Sequence, residues 1–538
     1  MADLVLRDGT IYTMDAARSR GRSVLIRDGR IHAIGHGEEF LHDSSTEVVD
    51  LNGRFVVPGF QDAHIHPPTG GLGLLRCNLH EDGTREQFLE TISRYAGEHP
   101  DEEWILGGGW AMDAFPGGTP TREELDVIVP DRPAFLVNRD GHGAWVNSIA
   151  LKLAAVDRST PDPGDGRIER DAMGEPAGTL QEGAMELVRR VVPEDTEETY
   201  LRGLKVAQEY LLSLGITAWQ DADVTPRTEA AYRKLANAGE LHAHVVGALW
   251  WERSEGEEQV ARLIERRSGG FAPGFRPTSV KMMLDGVFEN FTASMIDPYL
   301  DANGASSGDT GIDFIDPEML RRYVTILDAE GFQVHFHAIG DRAVRNALDA
   351  VESARRANGW NDHRHHISHI QVVHPDDIAR FRRLSVVANG QPFWACMDGY
   401  QSELTIPFLG SERSAGQYPF ASLLRNGAAL AFGSDWSVST PDPLLEIETA
   451  VNRISPDDRT LPVFYPDERI GLHEALAAFT IGSAYVNHLE ADTGSIEPGK
   501  LADLVVLDRD PFEADPIGDT RVDMTIIGGT VVYTRETR

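Results

Sequence analysis

Short apolar, β-rich runs alternate with helical stretches from about residue 56 to 489, and this alternation narrows the fold more than any other property of the 538-residue chain. VVPGFQDAHIH, GITAWQDA, AHVVGAL, TSVKMMLDG, FQVHFHAIG, HHISHI, LSVVANGQP and ALAFGSD supply eight strands, with helical stretches such as EMLRRYVTILDAEG and DRAVRNALDAVESARRANG between them. Repeated βα units build a parallel sheet, and eight of them close a barrel. The expected fold class is α/β, a (β/α)8 TIM barrel. Such a barrel needs about 250 residues, yet the first run ends near residue 66 and the second starts near 215. The excess reads as a large strand-one insertion. Residues 70–200, rich in Gly, Pro and acidic side chains, leave the barrel at its catalytic face and are expected to form a lid or pocket wall. Residues 1–55 and 490–538 are short strands separated by Asp-Gly, Asn-Gly and Gly turns. The two chain ends are therefore expected to pair as a small flanking β-sandwich beside the barrel domain, 56–489.

Composition narrows the function. Fifty basic residues against 85 acidic ones leave a formal charge of -35, a surface that repels nucleic acid and anionic membranes. The expected partner is a small-molecule substrate. Cys77 and Cys396 are too few for a disulfide framework, and the first residues lack a basic segment followed by an apolar one. No apolar stretch approaches the roughly 20 residues that span a bilayer. These features read as a cytoplasmic protein.

Six residues fit a site for two metal ions, in the order His64, His66, Lys281, His337, His369, Asp435, each at the end of an apolar run. His64 and His66 stand two apart on a strand and share a face. A second pair, His242 and His244, precedes its apolar run and reads as structural, at the bottom of the barrel. Lys281 lies in an apolar strand where an ammonium is costly to bury. It is either an ion-paired lysine or an amine that reacts with carbon dioxide, giving a carbamate able to bridge two ions. His337 and His369 end their strands, the place where barrel chemistry is built. His335 shares the face of His337 but sits deeper. Asp435 is either a helix cap or a general base that moves a proton from attacking water to a leaving nitrogen. The metals expected are divalent, zinc foremost.

The set resembles the amidohydrolase superfamily and, more narrowly, the amidohydrolase-3 (YtcJ-like) family, which includes N-substituted formamide deformylase. VVPGFQDAHIH, GGGW, RDGHGAWVNS, VKMMLDGVFENFTASM, HFHAIGDRAV, GSDWSVSTPDP and GSIEPGKLADLVVLD carry the resemblance over nearly the whole chain. It implies a distorted TIM barrel with a β-sandwich, a binuclear zinc site, an N-carboxylated Lys281 and a homodimer. His64 and His66 would serve one metal, His337 and His369 the other, with Asp435 as base and ligand. Relatives usually carry Glu immediately before the strand-six histidine, where this chain has Ser368.

The activity expected is hydrolysis of an amide, formamide or related N-acyl C–N bond by a metal-bound hydroxide. The alternatives are a mononuclear deaminase of an amino-substituted heterocycle and a non-catalytic binder on the same barrel. Candidate substrate contacts are Trp110, Asp140 and His142 beside glycines of the insertion, and Gln391 and Trp394 after strand seven. The P-loop-like Gly494–Lys500 is followed by Leu501 and a strand and reads as a turn. H-E-x-x-H does not occur, since His473-Glu474 continues as Ala-Leu-Ala.

Overall fold

The computed structural model describes residues 3–37, 40, 46–81 and 83–536, so the outermost residues of the flanking ranges 1–55 and 490–538 lie outside it. Eight parallel strands form one sheet in sequence order: β1 Phe60–Ile65, β2 Ile216–Val224, β3 His244–Trp250, β4 Phe275–Met283, β5 Gln333–Ala338, β6 His366–His369, β7 Val387–Gly390 and β8 Leu430–Phe432. All eight expected runs are present.

The seam between β8 and β1 is closed just past the strand ends. The Asp435 N–H donates to the His64 carbonyl and the His66 N–H to that of Trp436, both at 2.8 Å. Asp62 adds a side-chain clasp, accepting the Ser434 N–H at 3.0 Å and its hydroxyl at 2.6 Å. A Cβ on Gly433 would stand 2.3 Å from the His64 nitrogen, so only glycine lets the two strands approach this closely.

Helices follow the strands with local sequence reasons for starting where they do. Pro226–Asn237, Pro317–Ala329, Pro375–Leu384 and Pro443–Asn452 each place proline in the first turn, behind a capping side chain of Thr225, Asp316, His374 or Asp442. Proline costs nothing there, because the N–H it lacks would have no helical partner. Their apolar stripes and the outer faces of the strands form one continuous core.

VVPGFQDAHIH is divided between two sheets. Phe55–Pro58 joins a flanking six-stranded sheet with Thr10–Tyr12, Arg20–Gly21, Leu504–Leu507, Val522–Ile527 and Thr530–Thr534, and only the part after Gly59 enters the barrel. A four-stranded sheet from residues 4–50 faces it across an apolar layer that includes Leu6, Val24, Val56 and Val506. His244, at the start of β3, pairs with Asp503 of this flank at 2.9 Å, far from the strand ends that carry the other histidines. Between β1 and β2 the inserted segment builds a separate six-stranded sheet with apolar clusters of its own.

At the opposite end of the barrel a buried carboxylate, Asp328, accepts hydrogen bonds from His365, Asn358 and Asn361, with the Arg355 guanidinium 3.6 Å away. Burial alone would raise its pKa, but these donors hold it well below the usual carboxylate range. Its contribution to stability is therefore full above the unfolded carboxylate pKa and is lost as pH falls through the lower folded one. Asp328→Ala leaves Arg355 and His365 buried without their partner, and the expected cost is about 3–5 kcal/mol. A denaturant midpoint equal to that of the wild type would refute this.

Candidate metal centre

Asp435 is the hub at the barrel mouth. Its Oδ1 lies 3.2 Å from His64 Nε2 and 3.0 Å from His66 Nε2, and its Oδ2 3.9 Å from His369 Nδ1. Burial pushes the Asp435 carboxyl up, but its polar surroundings outweigh this and hold the group well below the usual range, as a carboxylate. Backbone geometry aims it: Asp435 has φ 55°, a left-handed conformation unfavourable for a residue with a Cβ. It caps no helix; Asp442 does that for the segment that follows.

His369 reaches the site by the same means. Cross-strand register pairs His337 with Ser368 and Ala338 with His369, so strict alternation turns Ser368 inward and His369 away. A φ of 76° at His369 and 44° at Ile370 redirects the ring inward, to 4.7 Å from the His64 ring and 4.4 Å from that of His337. Gln391 and Trp394 hold it there. The Gln391 side-chain Oε1 accepts the His369 backbone N–H at 2.8 Å, and the Trp394 ring stacks on the imidazole at 5.3 Å and 13°. Both therefore touch His369 itself, a role not anticipated for them.

Lys281 faces the cluster, Nζ 3.3 Å from His64 Nε2, and is 2% exposed. Burial presses its pKa down to about 8 against the opposing pull of Asp435. His337 completes the group on its far side, with Nε2 3.4 Å from the Gly286 carbonyl and 3.6 Å from Asp285. Asp285 ties the β4 end to the β5 end by accepting N–H groups from Ser294, Ile339 and Gly340. Ser368, in place of the expected Glu, bonds His335 Nε2 at 2.8 Å.

The insertion contributes His142. Its Nδ1 lies 2.9 Å from Glu182 and its ring 5.5 Å from the His337 ring. Burial lowers the His142 pKa, but Glu182 more than offsets this and lifts it to about 9. Glu182 is itself fixed by the Thr292 hydroxyl at 2.7 Å. A Cβ on Gly286 would stand 2.2 Å from Glu182 Oε1, so a glycine there admits the insertion to the mouth. Asp140 lies beside His142. It accepts the His142 N–H and the Asn138 amide, and so shapes the turn that presents His142. Trp110 lies elsewhere, fully buried in the apolar core of the insertion, with its N–H on the Leu136 carbonyl.

The donor set fits a cation. His64, His369 and Asp435 offer ligand atoms all within 4.8 Å of one another. His369 Nδ1 is buried with no hydrogen-bond partner among the described residues, a costly state unless the lone pair meets a metal or proton.

Residues 47–533 match the Amidohydrolase family. The chain belongs to it. Two curated relatives run the length of this family member: Protein LONG AFTER FAR-RED 3 of Arabidopsis thaliana, 34% identical over 99% of this chain and 92% of its own, and N-substituted formamide deformylase of Arthrobacter pascens, 28% identical over 99% of each. Among solved structures, an uncharacterized metal-dependent hydrolase from Pyrococcus furiosus superposes with a TM-score of 0.73 at 30% identity, covering 95% of this amidohydrolase and 100% of the other chain. Among the described residues no helix is long and apolar enough to cross a membrane.

Sequence reading missed Asp62, Gln220, Asp285 and Glu182. The first three carried a legible signal, a polar residue inside an otherwise apolar run, because such a group needs a specific partner.

Proposed function

We propose that this amidohydrolase is a metal-dependent enzyme that hydrolyses the C–N bond of an amide, formamide or related N-acyl compound. The observation that carries the reading is the convergence of three imidazoles on the buried Asp435 carboxylate, with one imidazole nitrogen unsatisfied. The full-length similarity to a formamide deformylase supports the formamide end of that range.

His64, His66 and Asp435 would hold one divalent ion and His337 and His369 a second, zinc foremost, with Lys281 between them as its carbamate. That modification forms when the unprotonated Nζ attacks the carbon of carbon dioxide, making an N–C bond and releasing one N–H proton to water. Bound ions supply a Lewis acid for the carbonyl and bring the pKa of water from about 15.7 towards 7. The Asp435 carboxylate takes a proton as water adds to the carbonyl carbon, then gives it to the nitrogen as the C–N bond breaks, returning to its starting state. His142, its Nδ1 held by Glu182 and its ring 5.5 Å from that of His337, would donate from Nε2 to the oxygen on which charge develops.

Protein stripped with a chelator and reloaded with zinc should regain release of amine and acid from a panel of N-substituted formamides and acylamines. Turnover insensitive to stripping would overturn the metal dependence, and a zinc-loaded protein inert towards the whole panel would overturn the bond assignment. His142→Gln and Glu182→Gln should each lower kcat by about 10²-fold with metal content unchanged. Undiminished kcat in both would remove His142 from the reaction.

A further inference from the structure

We propose that a buried relay of Gln333, Gln220 and His335 fixes which nitrogen of His64 carries its proton and so presents the other as a lone pair to the metal. The inference rests on the metal-centre reading above. It begins at two backbone carbonyls, which can only accept. The Gln333 Nε2 donates to the carbonyls of Arg364 at 2.9 Å and Val486 at 2.7 Å, so its amide has one orientation. Its Oε1 is therefore the acceptor facing Gln220, whose Nε2 donates to it at 3.1 Å and to Asn487 Oδ1 at 2.8 Å.

That in turn fixes Gln220. Its Oε1 accepts from His335 Nδ1 at 2.6 Å and from His366 Nε2 at 2.9 Å. With its proton on Nδ1, a neutral His335 has an accepting Nε2, which the Ser368 hydroxyl and His64 Nδ1 both approach at 2.8 Å. The hydroxyl can turn to donate or accept, whereas a bare His64 Nδ1 would set lone pair against lone pair. His64 must donate there, so its Nε2 is bare. That lone pair faces the Asp435 carboxylate oxygen at 3.2 Å and Lys281 Nζ at 3.3 Å. An ammonium on Lys281 could donate to that lone pair, but a Lys281 converted to its carbamate could not, and the imidazole nitrogen beside the carboxylate then suits a metal cation.

The opposite side of the barrel obeys the same logic. The Asn389 amide donates to the Ala63 carbonyl at 2.9 Å and to His366 Nδ1 at 3.2 Å, which leaves His366 Nε2 as the donor that Gln220 requires. Every link is therefore consistent with a backbone anchor at either end. His335 and Gln220 are positioning residues, acting on the metal through His64. Partners of this kind set ligand tautomer and basicity, and their loss costs about 10–100-fold in metal affinity.

The test compares His335→Phe, which fills the space but cannot accept, with His335→Gln, whose amide oxygen can accept from His64 Nδ1. Zinc affinity is measured by chelator competition on the full chain, and thermal midpoints of the metal-free proteins control for folding. His335→Phe should bind zinc about 10–100-fold more weakly, with His335→Gln close to wild type. In metal-free protein labelled with 15N-histidine, the His64 signals, identified by their loss in His64→Asn, should show a protonated Nδ1 and bare Nε2. His335→Phe should move the proton to Nε2, beside Asp435. Should His335→Phe fold poorly, Gln220→Met gives the same two readouts one link further out. Unchanged affinity and an unchanged His64 tautomer in the folded variant would overturn the relay while leaving the metal centre standing. A wild type that takes up no zinc would overturn both.

Discussion

Asp435→Asn keeps its metal and loses turnover by about 10²–10⁴-fold, the range that general acid–base catalysis contributes. Asparagine has the same shape, so the close approach to His64 and His66, at 3.2 and 3.0 Å, is retained by one oxygen. What disappears is a carboxylate able to take the proton of water and pass it on. The environment of Asp435 suits that task, since its carboxyl is held below the usual range in spite of its burial, with His66 Nε2 placed to donate to it at 3.0 Å. Metal content by elemental analysis and kcat on the same sample decide the matter. Wild-type turnover in the Asn variant would refute the assignment, and turnover lost only in proportion to metal would reduce Asp435 to a ligand.

Lys281→Met abolishes activity for a different reason. Methionine fills the space of a side chain 2% exposed and removes a charge from an apolar strand, so the fold is retained and its thermal midpoint holds or rises. The anionic bridge between the two proposed ions is gone, and metal content falls from two per chain to one or none. The loss in affinity should exceed the about 10–100-fold typical of removing an outer partner. Two tightly held ions in the Met variant would show that Lys281 bridges nothing.

The barrel was legible because burial on both faces makes each strand a near-continuous apolar run, and because His64 and His66 keep the strand period of two. The division of VVPGFQDAHIH between two sheets was hidden, since both halves are equally apolar and only Gly59 marks the change. His369 was found as the last histidine of its run, although alternation alone would have favoured Ser368; its left-handed φ is set by the loop that follows and leaves no mark on composition. Trp110 misled because an aromatic residue beside glycines reads the same in a binding loop as at the end of a buried strand. Gln220 and His335 acquire meaning only once β1, β2 and β5 face one another across the closed barrel, a contact made between residues more than 100 apart in the chain.

The most direct test of the central claim is high-resolution electron density around Lys281 in protein grown with zinc and bicarbonate, with metal counted on the same sample. Density extending from Nζ as a planar carbamate between two ions, at about two zinc per chain, is the result predicted by a binuclear hydrolytic centre on His64, His66, His337, His369 and Asp435. A bare amine beside a single ion, or beside none, would contradict it.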